Sequence, residues 1–155
     1  MALDLGSVRV RDWMLVSVPV ITPKTSIATA LRLLREHDVP ALPVSGAAGF
    51  LGLVDEKALL RLTPSEATTL DVYELHEALD RMTVARLTSP ARETVAPDAR
   101  LDETALLMLR EGVEAIAVAQ DGRVLGLLTW TSVLAAAIGA PATSRGLAET
   151  SARQI

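Results

Sequence analysis

Residues 122–139, GRVLGLLTWTSVLAAAIG, read as a buried strand running straight into a helix whose first turn carries three hydroxyls, Thr129, Thr131 and Ser132. Residues 49–62, GFLGLVDEKALLRL, repeat that shape 74 positions earlier, with Asp55, Glu56 and Lys57 at the mouth of the helix instead. Working outward from this pair, residues 10–62 align with 84–136 without a gap. Ten positions are identical: Val10, Pro23, Leu33, Val39, Ala41, Val44, Leu51, Gly52, Leu53 and Leu60 meet Val84, Pro97, Leu107, Val113, Ala115, Val118, Leu125, Gly126, Leu127 and Leu134. A register held over 53 positions marks an internal duplication.

Each copy gives the same order of signals. A short extended piece, VPVIT or RETVA, precedes Pro23 or Pro97, and the residue before a proline is held out of the helical region. Ile27, Ala30, Leu31 and Leu34 then recur at helical spacing, with Arg32, Arg35 and Glu36 on the outer face. ALPV or AIAV follows as a buried strand, Asp121-Gly122 predicts a hairpin turn in the second copy, and FLGLV or VLGLL returns. The closing helix begins at Asp55 or Thr129.

The predicted fold is therefore mixed α/β (α+β). It has two pseudo-symmetric strand-helix-strand-strand-helix repeats packed sheet to sheet, because one unit of this size buries too little surface alone. Boundaries fall at 8–62 and 84–139 for the repeats. A helical linker covers 63–83, with Asp71 as N-cap and Glu74 completing a capping box. Gly139 and Pro141 make a stop signal, and residues 140–155 turn small and polar and are expected to form a flexible tail.

Composition narrows the function. Half of the 155 residues are apolar and only four are aromatic, so Leu, Val, Ile and Ala must fill the interior. No cysteine is present, which removes disulfides, thiolate metal sites and thiol catalysis. The net charge of −4 and the lack of a long basic run argue against nucleic acid. No segment has the roughly 20 apolar residues that span a bilayer, so a soluble, cytoplasmic protein without membrane contact is expected. The runs ALLML (105–109) and VLAAAI (133–138) make helices that are apolar almost all round and need cover on two sides, which predicts a homodimer built through them.

VRDWM at 10–14, ITPKTSIATALRLLREHDVPALPV at 21–44, VAPDARLDETALLMLREGVEAIAV at 95–118 and the GFLGLV and RVLGLL strands together resemble the tandem cystathionine-beta-synthase (CBS) domain pair, or Bateman module. The segment PSEATTLDVYEL is similar to stand-alone bacterial members, including those labelled acetoin utilization proteins. The resemblance implies two clefts between the paired units that take adenosine-containing ligands: AMP, ADP, ATP, NAD or S-adenosylmethionine. The family's usual site runs Gly, two apolar residues, Thr or Ser, two free positions, then Asp. Its hydroxyl and helix N-terminus hold phosphate, and its Asp holds the ribose.

Both copies depart from that pattern. The first has Asp55 at the hydroxyl position and Ala58 at the Asp position, so a carboxylate would repel a phosphate there. The second keeps Thr129 but has Ser132 for the Asp. The second-copy cleft is thus the expected ligand site, with Val95, Ala96, Ile116, Thr129, Thr131 and Ser132 as its candidates and Lys24 and Arg123 as possible phosphate contacts.

Thr129 and Asp55 also have a plain role as N-caps, each contributing roughly 1 kcal/mol. Trp13 and Trp130 are expected to serve as packing anchors. His37 and His76 lack any metal-ligand spacing, and no catalytic constellation is present, so neither a metal site nor an enzyme is expected. The sequence points to a regulatory ligand-sensing module. The alternative is a ligand-free homodimeric scaffold that presents a surface to an unknown protein target, including a regulatory protein of acetoin metabolism.

Overall fold

The computed structural model describes residues 4–61, 71–90 and 94–140. The first copy forms helix α1 (Ile27–His37), strands β1 (Ala41–Gly46) and β2 (Gly49–Asp55), and helix α2 (Glu56–Arg61). The linker contributes α3 (Val72–Arg81), followed by the two-residue strand β3 (Ser89–Pro90). The second copy forms α4 (Leu101–Glu111), β4 (Ala115–Gln120), β5 (Arg123–Thr129) and α5 (Trp130–Ile138). Each element of the second copy begins 74 residues after its counterpart, and both hairpins carry a register shift at the same place, Val44/Ser45 and Val118/Ala119. The tail beyond residue 140 and residues 63–70 of the 63–83 linker lie outside the described residues.

Local chemistry explains the elements. Ser26 caps α1 by accepting from Thr29 N at 3.1 Å. Asp71 caps α3, and Glu74 accepts from the Asp71 N–H at 3.1 Å, the capping box that the sequence predicts. Asp121 and Gly122 both have positive φ, 54° and 75°, which gives the turn type that matches strand twist. The extended pieces before the helices are shorter than expected. Among the described residues each is one parallel bridge, Ile21 to Val44 and Val95 to Val118. Pro19 and Pro23 stand on both sides of the first bridge and Pro97 follows the second, and none has an N–H to continue the ladder.

The chain divides into two compact units, Val18–Arg92 and Met1–Ser17 with Glu93–Ile155. Each unit is completed by the leading segment of the other copy. In the first-copy unit, β3 pairs with β2 through Ser89 and Leu53, and Val84 N donates to Thr25 O at 2.9 Å. In the second-copy unit, Leu15 exchanges two backbone hydrogen bonds with Leu127 at 2.8 and 3.0 Å, and Val10 N donates to Ala99 O at 2.9 Å.

These crossings explain the Leu-Gly-Leu signature common to both copies. A Cβ on Gly52 would run into the backbone oxygen of Ser89, and one on Gly126 into that of Leu15. Only glycine lets the crossing backbone approach so closely.

The core of the second-copy unit joins Val10 and Trp13 from the exchanged segment to Leu101, Met108, Ile116 and Leu128. Leu, Val, Ile, Met and Ala supply nearly all of it, as the aromatic-poor composition requires. In the first-copy unit α3 packs on α1, with Leu75, Ala78 and Leu79 half-buried. Among the described residues no helix is long and apolar enough to cross a membrane.

Candidate ligand site at the start of α5

β4 and β5 place the site. Thr129 is the last residue of β5, opposite Ala115, and its extended backbone (φ −118°, ψ 160°) turns the chain into α5. Its hydroxyl accepts from the Ser132 N–H at 3.3 Å, and the two hydroxyl oxygens lie 3.3 Å apart. Both side chains are buried, at 4% and 5% exposure. Trp130 N donates to Glu114 O at 3.1 Å, so two of the first three helical N–H groups already have acceptors. A helix start of this kind favours a partial negative charge, which here comes from the alcohol oxygen of Thr129 and the carbonyl of Glu114.

The other sequence-predicted residues are arranged around this pair in different ways. Val95 is half-buried and hydrogen-bonds Ala117 and Ala119 along the edge of β4 away from β5; Ala96 beside it is exposed. Ile116 is buried in the core facing Leu128, and the pleat turns it to the sheet face opposite Ala115 and Thr129. Thr131 is exposed, on the solvent side of α5.

Arg123 begins β5 and pairs with Gln120 at the hairpin. A strand of that length puts it about 20 Å of backbone from Thr129. Lys24 is exposed in the turn before α1, in the other unit. Of the candidates, then, the structure brings Thr129 and Ser132 into contact and sets Arg123 at the far end of their strand.

At the matching place in the first copy, Asp55 Oδ1 accepts from Ala58 N at 2.6 Å. The carboxylate is the cap, and it is exposed. Both Trp side chains serve packing: Trp13 is buried in the second-copy core and Trp130 lies half-buried against it. His76 holds its Nδ1 3.0 Å from Val72 O, and His37 is exposed at the end of α1. Among the described residues no three His, Asp or Glu side chains gather into a metal-binding group.

Sequence reasoning missed the exchanged segment at this site. Met14 and Leu15 lie across Gly126, and Arg11 pairs with Asp98 while its N–H donates to Pro97 O at 2.9 Å. The signal was available in the glycine common to both copies, which marks a close backbone approach. At the start of α4, Arg100 grips Asp102 at 3.1 and 2.7 Å. The hydrogen bond from Arg100 lowers the Asp102 carboxyl below its usual range, and the same bond raises the Arg100 guanidinium.

Residues 10–65 and 84–139 each match the CBS domain. The chain belongs to the CBS domain family. Its two CBS domains stand in tandem in the sequence, and the similar solved structures include one described as a CBS-pair protein. The CBS domain of a CBS domain containing membrane protein from Sphaerobacter thermophilus superposes with a TM-score of 0.73 at 24% identity, covering 84% of this chain and 88% of that one. CBSX2 from Arabidopsis thaliana, solved in complex with AMP, gives 0.68 at 28% identity, covering 84% and 97%. AcuB of Vibrio cholerae, named for acetoin utilization, gives 0.69 at 20% identity, covering 85% and 91%. No curated protein matches the chain in sequence.

Proposed function

We propose that this CBS pair is a regulatory ligand-sensing module, cytoplasmic and non-catalytic, that binds an adenosine-containing ligand at the start of α5 in its second domain. The observation that carries the reading is Thr129: a hydroxyl at the N-cap of α5, in the place where the first domain has the carboxylate of Asp55. An alcohol tolerates a phosphate beside a helix N-terminus, and a carboxylate repels one. The AMP complex of CBSX2, a relative 28% identical, supports the ligand class. Regulation then follows from any difference in ligand affinity between two arrangements of the protein.

A thermal-shift series with AMP, ADP, ATP, NAD and S-adenosylmethionine tests this. A ligand at about a hundred times its dissociation constant adds roughly 2.7 kcal/mol, which raises Tm by roughly 5–10 °C for a chain of this size. Thr129→Asp copies the first domain, keeps the cap and is expected to abolish the shift. A shift that survives in Thr129→Asp moves the ligand elsewhere.

The second reading is a ligand-free scaffold for a protein target, and one observation favours it. Thr129 and Ser132 already satisfy each other, and no carboxylate stands at position 132 to hold a ribose. A flat response to all five ligands selects this reading. A place in acetoin metabolism has only fold likeness to AcuB behind it.

A further inference from the structure

The duplication supplies an internal control for the surface of α4. An open groove of about 390 Å³ runs along this helix, lined by Leu5, Asp102, Glu103, Ala105, Leu106 and Leu109. The residues 74 positions before the five on α4 are Ala28, Thr29, Leu31, Arg32 and Arg35, and every one differs. Where α1 has a leucine beside two arginines, α4 has a buried alanine beside two exposed leucines, with two acids in its first turn. The second copy has thus gained a hollow floored by Ala105 and walled by Leu106 and Leu109, the latter 65% exposed. Leu5 closes the other side, held by the 3.3 Å hydrogen bond that Asp102 N donates to Leu5 O.

An apolar hollow with acid at one end fits a helix that carries one large apolar side chain, small ones after it and a base near its start. Residues 145–155, RGLAETSARQI, have that pattern. Leu147, Ala148, Ser151, Ala152 and Ile155 recur at helical spacing, and Arg145, Glu149 and Arg153 follow one another four apart beside them. The chain also brings this segment to the groove. α5 packs against α4 and ends at Ile138, and helices in contact lie about 8–10 Å apart. Residues 139–144 span up to roughly 20 Å, and so short a tether sets an effective concentration on the order of millimolar.

Set parallel to α4, the segment places Arg145 beside Glu103, Leu147 over Ala105, and the small Ala148 and Ser151 against Leu106 and Leu109. Glu149 then comes within a turn of Arg110. Glu103 reaches its neighbour Arg100 only at 3.6 Å, which leaves the carboxylate open to a second base. The matching face of α1 has no acid in its first turn and turns Arg32 and Arg35 outward, so it rejects the same segment.

We propose that residues 145–155 seat as a helix in the groove on α4 of their own chain, with Leu147 in the hollow over Ala105 and Arg145 on Glu103.

Hydrogen exchange of residues 145–155 in the full chain tests the seat. A helix of that length is marginal alone, so protection of its amides reports docking. In the wild type exchange is expected to be slowed roughly tenfold or more. Leu106→Arg with Leu109→Arg, which copies residues the same fold already carries on α1, is expected to return it to the unprotected rate while the chain still melts cooperatively. Arg145→Glu is expected to remove protection by about two- to fivefold, and adding Glu103→Arg is expected to restore it. The chain has no cysteine, so Leu109→Cys with Ser151→Cys gives a clean crosslink, expected to close within one chain. An unprotected segment in the wild type overturns the proposal. So does protection that survives the double arginine variant, a charge reversal that Glu103→Arg does not mend, or a disulfide that joins two chains and gives the groove to a second copy.

Discussion

The starts of α2 and α5 stand 74 residues apart in the same fold and meet one demand with different atoms. In the first domain the Asp55 carboxylate accepts from Ala58 N at 2.6 Å; in the second the Thr129 hydroxyl accepts from Ser132 N at 3.3 Å. Gly52 and Gly126, three residues before them, are the same in both copies because a backbone lies where a side chain would begin. What the two copies share is what the fold requires. Where they differ, as at Asp55/Thr129 and Arg32/Leu106, the fold accepts either residue, and such positions are open to function.

That contrast can be broken first at the shared glycines. Gly126→Ala and Gly52→Ala are each expected to destabilise by about 3 kcal/mol or more, lowering Tm by roughly 10 °C, because the obstacle is backbone and cannot swing aside. Calorimetry that finds only one of the two sensitive would end the equivalence of the crossings. The ligand-dependent Tm shift comes next, expected in the wild type and absent in Thr129→Asp. Smaller again is the cap itself: Thr129→Ala and Asp55→Ala should each cost about 1 kcal/mol in urea melts, by similar amounts if the two atoms do the same work.

The smallest effect sharpens the comparison at the other pair of helices, where Ser26 caps α1 and Arg100 stands at the matching place before α4. There Asp102 takes over, accepting from Glu103 N at 2.7 Å and from Arg100. The folded carboxyl titrates below its ordinary value, so its contribution is present above about pH 4 and is lost as pH falls through the lowered value. The Tm difference between wild type and Asp102→Asn is expected to be on the order of a degree at neutral pH and to vanish in acid. A difference that grows on acidification contradicts that assignment.

The elements were legible in the sequence because each rests on local patterning. Ile27, Ala30 and Leu34 face inward at helical spacing, Asp71 and Glu74 close their capping box, and Asp121-Gly122 makes its turn. The partner of each crossing segment was not legible. Val10 and Val84 carry the same pattern, and a buried valine states that it is covered without stating by which copy. The candidate site divided along the same line. Thr129 and Ser132 are three residues apart on one helix start, so their meeting is local. Ile116 and Arg123 depend on pleat and strand length, which put one behind the sheet and the other at the hairpin.

The exchanged crossings also bear on where such a chain can be cut or born. Residues 10–15 find their bonding partners only after residues 95–127 exist, so during synthesis the leading segment waits for most of the chain to follow. A gene halved between the repeats yields two pieces that each lack their own closing strap and hold the other's. A single ancestral repeat could complete itself only by trading straps with a twin, and joining two such twins end to end produces the connectivity seen in this protein.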